Sequence, residues 1–450
     1  MIVERHALLG VTFAAAVFAA VVCLTGPSLA ETAASDSQCN YAELSPCPQP
    51  IDKFLPDVAK MLTWDETSRI IGQRNDYRNY PGTVYEAGAS HFPLPEAAAE
   101  KQLNPWEISY TRDGKTVSLK QYQQDQKVQG LLVIKNGEIV YQHYAGGNTP
   151  TTLWTSNSVG KSFVSTLVGI AIKEGKIGSL DDEVTKYNPT LKGTGWDGVT
   201  LKNLINMDSG IDWTENYTDP NSSFSKLVAC QAQVKVAYKC AQDLIYPMTR
   251  KNPPGKVFSY TSGGAWLLGD VLETAVGMPI GAYLEKKIWK PFGMANDGVW
   301  HAYEVGKHDV GAHGMNATLK DWGRFGLFIA GGGILPDGTS LLPDNWLKDS
   351  ASWSKAEGSV SASYPEGIYS HEWWNMQIPA DAKNVNPTPD QFPKGTLWAV
   401  GIYGQVIAIS AEQKLVYVQW STWPEAEPNF SDKPENLALM FTAIANKLKK

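Results

Sequence analysis

The stretch that decides the fold runs from residue 154 to residue 175 and reads WTSNSVGKSFVSTLVGIAIKEG. Apolar residues follow Ser158 at the three- and four-residue spacing of one buried helix face: Phe163, Leu167, Ile170 and Ala171. A glycine after such a run is a common helix end. The sequence therefore predicts a helix that begins near Ser158 and ends at Gly175.

Ser158 and Lys161 would lie one turn apart at the start of this helix. There an amine can activate a hydroxyl, and free backbone N–H groups point toward developing negative charge. The spacing alone carries little information, since Ser-x-x-Lys recurs at Ser223 and Ser352 in polar, turn-rich segments. Only the first copy opens a long apolar helix, so Ser158 is the candidate nucleophile of a serine acyl-transfer enzyme.

Three other interpretations of the chemistry fail. Gly160-Lys161-Ser162 imitates the end of a phosphate-binding loop, but that pattern needs a glycine where Thr155 stands. A nucleophile elbow needs a glycine where Ser156 stands. The seven histidines form no His-Glu-x-x-His motif, and we interpret His308 and His313 as polar loop residues. No metal ion or organic cofactor is therefore predicted, and the base must be a residue other than histidine.

Composition excludes some partners. The chain has 450 residues, of which 43% are hydrophobic, and a formal net charge of −7. That length suggests two or three domains at most. Because the chain has neither a basic patch nor a run of Lys and Arg, nucleic acid and anionic membrane surfaces are poor candidate partners.

Residues 1–30 resemble a secretory signal peptide. Arg5 and His6 precede an apolar stretch at 7–24, and Ser28-Leu29-Ala30 offers a site for cleavage after Ala30. We expect a secreted or periplasmic protein without a stable membrane anchor after cleavage. An uncleaved anchor is the alternative, since eighteen apolar residues could barely span a bilayer.

Four cysteines remain after that cleavage, at positions 39, 47, 230 and 240. Proximity favours the pairs Cys39–Cys47 and Cys230–Cys240, each stabilising by roughly 2–3 kcal/mol in the chain-entropy model. Three connectivities are possible, and the sequence does not choose among them. A metal site is the weaker alternative, because no Cys-x-x-Cys occurs and no histidine lies near a cysteine.

The remaining chain divides into an N-terminal extension at 31–126 and a second domain at 127–450. Asn136-Gly137 lies between two β-rich runs, 131–134 and 139–141, and predicts a hairpin. Apolar runs at 398–409 and 415–420 predict a second hairpin, and an amphipathic helix follows at 435–450. Helical patterns prevail between about 180 and 300. We therefore expect an α+β fold, with an antiparallel sheet flanked by helices and an inserted, mostly helical subdomain.

Tyr260 is the candidate proton acceptor. It follows a Pro-Pro-Gly break and a short hydrophobic run, and it precedes a second amphipathic helix. A phenolate near a lysine ammonium can accept the serine proton, because the cation lowers the pKa of the phenol. With nineteen tyrosines in the chain, a packing role is the alternative.

A series of motifs in a fixed order resembles the serine β-lactamases and penicillin-binding-protein-like hydrolases, and most of all the branch of 6-aminohexanoate-dimer hydrolase and class C-related esterases. The resemblance extends from about Val128 to Lys450. The matching stretches are Val133-Ile134-Lys135-Asn136-Gly137, Ser158-Val159-Gly160-Lys161-Ser162, Leu180-Asp181-Asp182, Val199-Thr200-Leu201-Lys202-Asn203-Leu204, Ser209-Gly210-Ile211, Pro254-Gly255 with Phe258-Ser259-Tyr260-Thr261-Ser262, Pro291-Phe292-Gly293-Met294, Asp321-Trp322-Gly323-Arg324-Phe325-Gly326 and Gly401-Ile402-Tyr403-Gly404-Gln405.

The resemblance implies a β-lactamase/transpeptidase-like fold with Ser158 as nucleophile, Lys161 as its activating partner and Tyr260 as proton shuttle to the leaving group. Gly401–Gly404 falls where the family's third motif edges the site. A backbone N–H there, that of Ile402, would complete an oxyanion hole with the N–H of Ser158, and such a donor is typically worth roughly 3–4 kcal/mol.

The departures from the lactamase pattern bear on the substrate. The third motif lacks the cation of Lys-Thr-Gly, and Ser262 stands where the lactamases have Asn. Amide or ester hydrolysis is therefore favoured over β-lactam hydrolysis. Residues expected to contact a small amide or ester substrate, with core packing as the alternative for the aromatic ones, are Ser262, Tyr403, Gly404, Trp213, Tyr217 and Trp374.

We therefore expect a serine hydrolase that works through an acyl-enzyme. Two alternatives stay open: a β-lactamase or D-alanyl carboxypeptidase, and a non-catalytic relative that binds cell-wall fragments. An intact Ser, Lys and Tyr set argues against the second, because a pure binder has no need of all three. Oligomeric state is not predicted.

Overall fold

The computed structural model describes residues 55–233, 235–426 and 433–449. The predicted signal at 1–30 and the cysteines at 39 and 47 lie outside the described residues. The helices are α1 Glu66–Asn75, α2 Leu119–Asp125, α3 Val159–Lys173, α4 Val184–Tyr187, α5 Leu201–Ile205, α6 Ser223–Gln231, α7 Ala237–Ile245, α8 Ser262–Val276, α9 Ile280–Leu284, α10 Lys290–Phe292, α11 Leu319–Ala330, α12 Trp346–Ser350 and α13 Lys433–Lys447.

The strands form three antiparallel sheets. Their bounds are β1 Gly82–Tyr85, β2 Ser109–Arg112, β3 Lys115–Ser118, β4 Val128–Lys135, β5 Glu138–Tyr144, β6 Trp154–Thr155, β7 Gly298–Glu304, β8 His308–Asp309, β9 Met315–Ala317, β10 Tyr369–Ser370, β11 Trp373–Trp374, β12 Val385–Asn386, β13 Leu397–Gly401, β14 Gln405–Ser410 and β15 Leu415–Ser421. The main sheet has the order β10-β11-β13-β14-β15-β4-β5. A second sheet has the order β1-β7-β9-β6 with β8 on β7, and a third has the order β12-β2-β3.

The main sheet is buried on both faces. Along β4, Leu132 and Ile134 belong to a core that includes α3 and α11, whereas Leu131 and Val133 belong to a core that includes α13. This alternation follows from the two-residue period of a strand, which sends successive side chains to opposite faces. The α+β fold with helices flanking an antiparallel sheet is as the sequence predicts.

Helix α3 lies inside the protein and does not run along its surface. Every residue from Val159 to Ala171 is buried, and the ring of Phe163 stacks on that of Phe325 in α11 with 3.6 Å between centroids. Its polar residues are buried with it, because Ser162 Oγ and Ser165 Oγ donate to the carbonyls of Glu372 and His371. The core therefore fixes the position of the first turn of α3, which includes Lys161.

The first hairpin forms as predicted, with Asn136 and Gly137 at positive φ between β4 and β5. The second hairpin also forms, between β14 and β15 around residues 410–414. The first of its two predicted runs, 398–409, differs from the prediction, because it is two strands, β13 and β14. A tight turn at Ile402–Gly404 separates them, with Tyr403 at φ 62° and Gly404 at φ 89°. Central strands are apolar on both faces, so a break between two of them leaves no change in hydrophobicity.

The residues predicted as an N-terminal extension take part in the sheets. Strand β1 pairs with β7, and β2 pairs with both β3 and β12.

Cys230 and Cys240, at the end of α6 and within α7, lie at disulfide distance with an S–S separation of 1.99 Å. Among the described residues, no single helix is long and apolar enough to cross a membrane; one pair bent by 63°, 262–276 with 280–292, passes that test only when taken together.

Candidate active site

Ser158 stands at the N-terminal end of α3 in an unusual backbone setting. Asn157 has φ 44°, in the left-handed region, and Ser158 is the N-cap residue without making a side-chain cap bond. A serine at an N-cap normally spends its hydroxyl on a backbone N–H of the first turn. Here the Oγ atom accepts a hydrogen bond from Lys161 Nζ at 2.8 Å instead.

The Lys161 amine is almost completely buried, with 2% of the residue exposed. Its nitrogen donates to three acceptors: Ser158 Oγ at 2.8 Å, the Ala312 carbonyl at 2.8 Å and Ser262 Oγ at 3.3 Å. Burial lowers the pKa of Lys161, and the carboxylates of Glu215 and Glu372 oppose that effect. A lowered pKa favours the neutral amine that a general base requires.

The other Ser-x-x-Lys copies are not arranged in this way. Ser223 Oγ accepts from the backbone N–H of Thr214 at 3.2 Å. Ser352 Oγ donates to the Lys348 carbonyl at 2.9 Å, and Lys355 Nζ donates to the Pro365 carbonyl at 3.1 Å. The geometry therefore separates the first copy from the other two, which the motif alone could not do.

Tyr260 lies next to Lys161, as the sequence predicts. The Lys161 nitrogen is 5.1 Å from the centroid of the Tyr260 ring. That ring stacks on Trp374 with centroids 5.3 Å apart and meets the edge of Tyr369 at 5.9 Å. Two aromatic neighbours from the β10–β11 region thus fix the plane of the tyrosine ring beside the serine and the lysine.

The end of β13 lies directly against the start of α3. A Cβ atom at Gly401 would come within 2.7 Å of the Ser156 carbonyl and 3.0 Å of the Ser158 nitrogen. Only glycine permits this approach. Ser158 and Ile402 both line the same cavity, and an oxyanion hole requires backbone N–H groups that face one point in such a cavity.

Residues of the predicted extension hold this junction from outside. Asn157 Nδ2 donates both to Gln73 Oε1 in α1, at 3.0 Å, and to the Ile402 carbonyl, at 3.2 Å. The Tyr403 hydroxyl donates to the Met61 carbonyl at 2.7 Å. The residues before 127 therefore contact both sides of the candidate oxyanion site, a role that no motif indicated.

A cavity of about 520 Å³ opens in front of Ser158. Its walls are mostly apolar and aromatic, among them Tyr217, Tyr260, Trp374, Ile402 and Trp423. Within the described ranges Glu215 is the one charged residue that lines it. Tyr217, Trp374 and Ile402 thus lie where the sequence analysis placed them, whereas Trp423 was not foreseen.

Four residues expected to contact substrate lie elsewhere. Trp213 is buried and its indole N–H donates to Glu215, and the Ser262 hydroxyl is also turned to Glu215. Tyr403 points its hydroxyl at Met61, and a Cβ at Gly404 would collide with Trp423. None of the four lines the cavity. The physical reason is common to all of them, since each is committed to packing or hydrogen bonds that hold the wall.

Buried titratable groups lie behind the residues that line the cavity. Burial raises the pKa of Glu372 to about 7, and its Oε2 accepts from Tyr369 at 2.7 Å. Burial lowers the pKa of His313 to about 3, and its Nε2 lies 2.7 Å from Gln231 Nε2 and 3.0 Å from Gln231 Oε1. His313 is therefore not the ordinary loop residue that we expected, and neither is His308, which pairs with a buried glutamate. In the described part of the chain, no cluster of His, Cys, Asp and Glu could hold a metal ion.

A serine hydrogen-bonded to a lysine at a helix start, with a tyrosine and a strand end beside them, is the arrangement of a serine hydrolase. The β-lactamase family model matches residues 118–440. The chain belongs to the β-lactamase family. Relatives that match it include a 6-aminohexanoate-dimer hydrolase and β-lactamases.

Individual relatives narrow the comparison. The 6-aminohexanoate-dimer hydrolase of Paenarthrobacter ureafaciens is 24% identical over 304 residues, which are 66% of this chain and 73% of that one. A Pseudomonas fluorescens β-lactamase is 26% identical, and the match covers 38% of this chain and 46% of that one. A solved Bacillus anthracis structure, provisionally named a 6-aminohexanoate-dimer hydrolase, superposes with a TM-score of 0.70 at 22% identity over 89% of this chain and 99% of that one.

Proposed function

We propose that this protein is a serine hydrolase that cleaves the amide or ester bond of a small, uncharged and largely apolar substrate through an acyl-enzyme on Ser158. The observation that carries the proposal is the direct hydrogen bond from Lys161 Nζ to Ser158 Oγ, at 2.8 Å, at the floor of an apolar cavity. A nucleophile and its base within hydrogen-bond reach are the mark of covalent catalysis.

The proposed reaction has two halves. In the first, Lys161 takes the Ser158 proton as the oxygen attacks the carbonyl carbon, and the N–H groups of Ser158 and Ile402 stabilise the oxyanion. Tyr260 then passes its proton to the departing amine or alcohol and is reprotonated by the Lys161 ammonium, which becomes neutral again. In the second, Lys161 and Tyr260 take a proton from the water that attacks the acyl-enzyme, that proton is given to Ser158 Oγ as the ester bond breaks, and the acid leaves.

The cavity favours neutral substrates. The carboxylate of a β-lactam needs a cation, but the described lining residues include neither Lys nor Arg. The ammonium group of a 6-aminohexanoate oligomer needs a free carboxylate, but Glu215 already accepts four hydrogen bonds. Apolar walls stabilise an uncharged acyl group by roughly 25 cal/mol for each Å² buried.

The test is a comparison of kcat/KM on four substrates: p-nitrophenyl butyrate, butyryl p-nitroanilide, nitrocefin and the linear dimer of 6-aminohexanoate. We expect the neutral ester to be hydrolysed at least about 100-fold more efficiently than either charged substrate, which corresponds to about 2.7 kcal/mol. Nitrocefin turnover above that of the ester would support the β-lactamase alternative instead. Absence of turnover with no covalent labelling of Ser158 would favour the non-catalytic alternative.

Export to the periplasm or the medium is part of the proposal. It rests on the composition of residues 1–30 and on the Cys230–Cys240 pair, because disulfides persist in oxidising compartments. The intact mass of the protein purified from a periplasmic extract should equal that of a chain whose first residue is Glu31. A mass that retains the first thirty residues would contradict cleavage after Ala30.

A further inference from the structure

Glu215 is joined to the candidate base through a short chain of hydrogen bonds. Its Oε1 accepts from Ser262 Oγ at 2.6 Å, and Ser262 Oγ in turn accepts from Lys161 Nζ at 3.3 Å. The carboxylate and the amine nitrogen therefore lie no more than about 6 Å apart, a range over which opposite charges interact strongly. No step of the proposed reaction uses this carboxylate.

The carboxylate is held rigidly in place. Besides Ser262 Oγ, the Tyr217 hydroxyl donates to Oε1 at 3.1 Å, and the Ser262 backbone N–H donates to Oε2 at 2.9 Å. The Trp213 indole N–H also donates to Oε2. Four donors satisfy both oxygens. A group with so many partners serves to orient its neighbours rather than to bind a ligand.

The direction of the Ser262 hydroxyl follows from this arrangement. A serine hydroxyl has one proton and two lone pairs. Because the proton is given to Glu215, only lone pairs face Lys161. Ser262 is thereby forced to be a hydrogen-bond acceptor toward the amine.

The consequence for Lys161 concerns its own lone pair. A neutral amine has two N–H bonds and one lone pair. The ammonium form donates an N–H to each of its three partners. In the neutral form Ser262 Oγ and the Ala312 carbonyl take the two N–H groups, so the lone pair faces the third partner, Ser158 Oγ. That is the orientation in which the amine can remove the serine proton. If Ser262 were free to donate, it could engage the lone pair itself and leave an N–H facing Ser158.

We propose that Glu215 is a positioning residue that fixes Ser262 as an acceptor and so aims the Lys161 lone pair at Ser158. Its negative charge also stabilises the ammonium ion that forms as the proton is transferred. The inference rests on the proposed function, because it describes how that reaction's base is oriented. It replaces the substrate-binding role that the sequence analysis gave to Ser262.

Other titratable groups face Lys161 and must be considered in its pH dependence. Glu372, in the β10–β11 turn, acts on the Lys161 amine through its charge. His313 directly follows Ala312, whose carbonyl accepts a hydrogen bond from Lys161. The Tyr260 ring lies beside the amine. Glu215 differs from these three groups, because it acts on the Lys161 amine through the Ser262 hydroxyl, whose direction it controls. Loss of Glu215 should therefore change orientation as well as charge.

The first experiment measures kcat/KM against pH for wild type and for Glu215→Gln, with p-nitrophenyl butyrate as substrate. Glutamine keeps the shape but can donate to Ser262 and reverse the hydroxyl. We expect kcat/KM at its plateau to fall at least about tenfold and the acidic limb to move down by about 1 pH unit, since a nearby negative charge is lost. Asp212→Asn removes an exposed charge from the same loop and should leave both unchanged.

The second experiment is a double-variant cycle with Ser262→Ala, which leaves the Trp213, Tyr217 and backbone partners of Glu215 in place. Because the direct effect of the Glu215 charge persists without the Ser262 hydroxyl, adding Glu215→Gln to Ser262→Ala should still lower kcat/KM, but by clearly less than Glu215→Gln lowers it in wild type. Losses that multiply, or an acidic limb that does not move in Glu215→Gln, would overturn the inference.

Failure of the inference can be distinguished from failure of the proposed function. If wild type turns over the ester and a fluorophosphonate labels Ser158, the proposed function stands. An unshifted pH limb would then count against the Glu215 inference alone. If Ser158 is not labelled, the proposed function itself is wrong and the inference falls with it.

Discussion

Gly401 is where the proposed oxyanion site depends most sharply on geometry, and the change to test it is Gly401→Ala. The added Cβ atom would lie 2.7 Å from the Ser156 carbonyl oxygen, 3.0 Å from Asn157 Cβ and 3.0 Å from the Ser158 nitrogen. Carbon atoms at optimal separation are about 3.5–4.0 Å apart. The three contacts are to backbone and to a short side chain, so rotation of a flexible group cannot relieve them. The end of β13 must move away from α3 by roughly 0.5 Å.

That displacement separates the two N–H groups proposed to bind the oxyanion. A misplacement of about 1 Å can cost about 100-fold in rate, and loss of one oxyanion donor costs about 100- to 1,000-fold. We therefore expect kcat to fall about 10- to 100-fold in Gly401→Ala, with a smaller change in KM. Overpacking should lower the free energy of unfolding by about 1–3 kcal/mol.

The assay is initial-rate kinetics with p-nitrophenyl butyrate, together with thermal unfolding to show that the variant is folded. The matched control is Gly331→Ala, at φ −79° after α11, where the added Cβ would lie no closer than 3.2 Å to any atom outside its neighbours. It should have wild-type kcat. A folded Gly401→Ala protein with undiminished kcat would refute the proposed junction of β13 with the nucleophile turn.

Three further predictions follow from the same geometry. The variant Asn157→Gly can adopt the positive φ but loses the hydrogen bonds to Gln73 and Ile402, so kcat/KM for the ester should fall about tenfold. An unchanged kcat/KM would show that these two hydrogen bonds are not needed for catalysis. Tyr260→Phe keeps the ring stacking but removes the hydroxyl, so kcat should fall about 100- to 10,000-fold with little change in Tm; a small loss would exclude proton transfer by Tyr260. Burial raises the pKa of Glu372 to about 7, so the native state binds this proton more tightly than the unfolded chain and wild type loses stability as pH rises from about 4.5 to about 7. Relative to wild type, Glu372→Gln should therefore gain up to about 3 kcal/mol between pH 5 and pH 8 in denaturant unfolding, and a pH-independent difference would contradict the raised pKa.

Local patterns predicted the elements that form the core of the site. The Asn136-Gly137 turn, the helix after Ser158 and the helix after Tyr260 all carry signals within a few residues, because turn geometry and helix period are local properties. Order of motifs along the chain then associated Ser158, Lys161 and Tyr260, and the structure brings the three together.

Contacts between distant segments could not be predicted in the same way. The bond between Gln73 and Asn157 joins residues 84 positions apart, and neither residue type is unusual for its segment. Glu215 left a faint signal, as a carboxylate between two aromatic residues with N–H and O–H donors, Trp213 and Tyr217. Tyr403 and Gly404 were assigned to the substrate because a motif shows position along a strand but not which way the chain turns after it.

Covalent labelling of Ser158 is the measurement on which the proposed function depends most directly. The full chain is treated with a fluorophosphonate probe, and intact mass and peptide mapping follow, with Ser158→Ala and Ser223→Ala as matched variants. We expect one adduct on wild type and on Ser223→Ala, mapped to the peptide that contains Ser158, and none on Ser158→Ala. An adduct of equal yield on Ser158→Ala, or none on folded wild type, would contradict the assignment of Ser158 as the nucleophile.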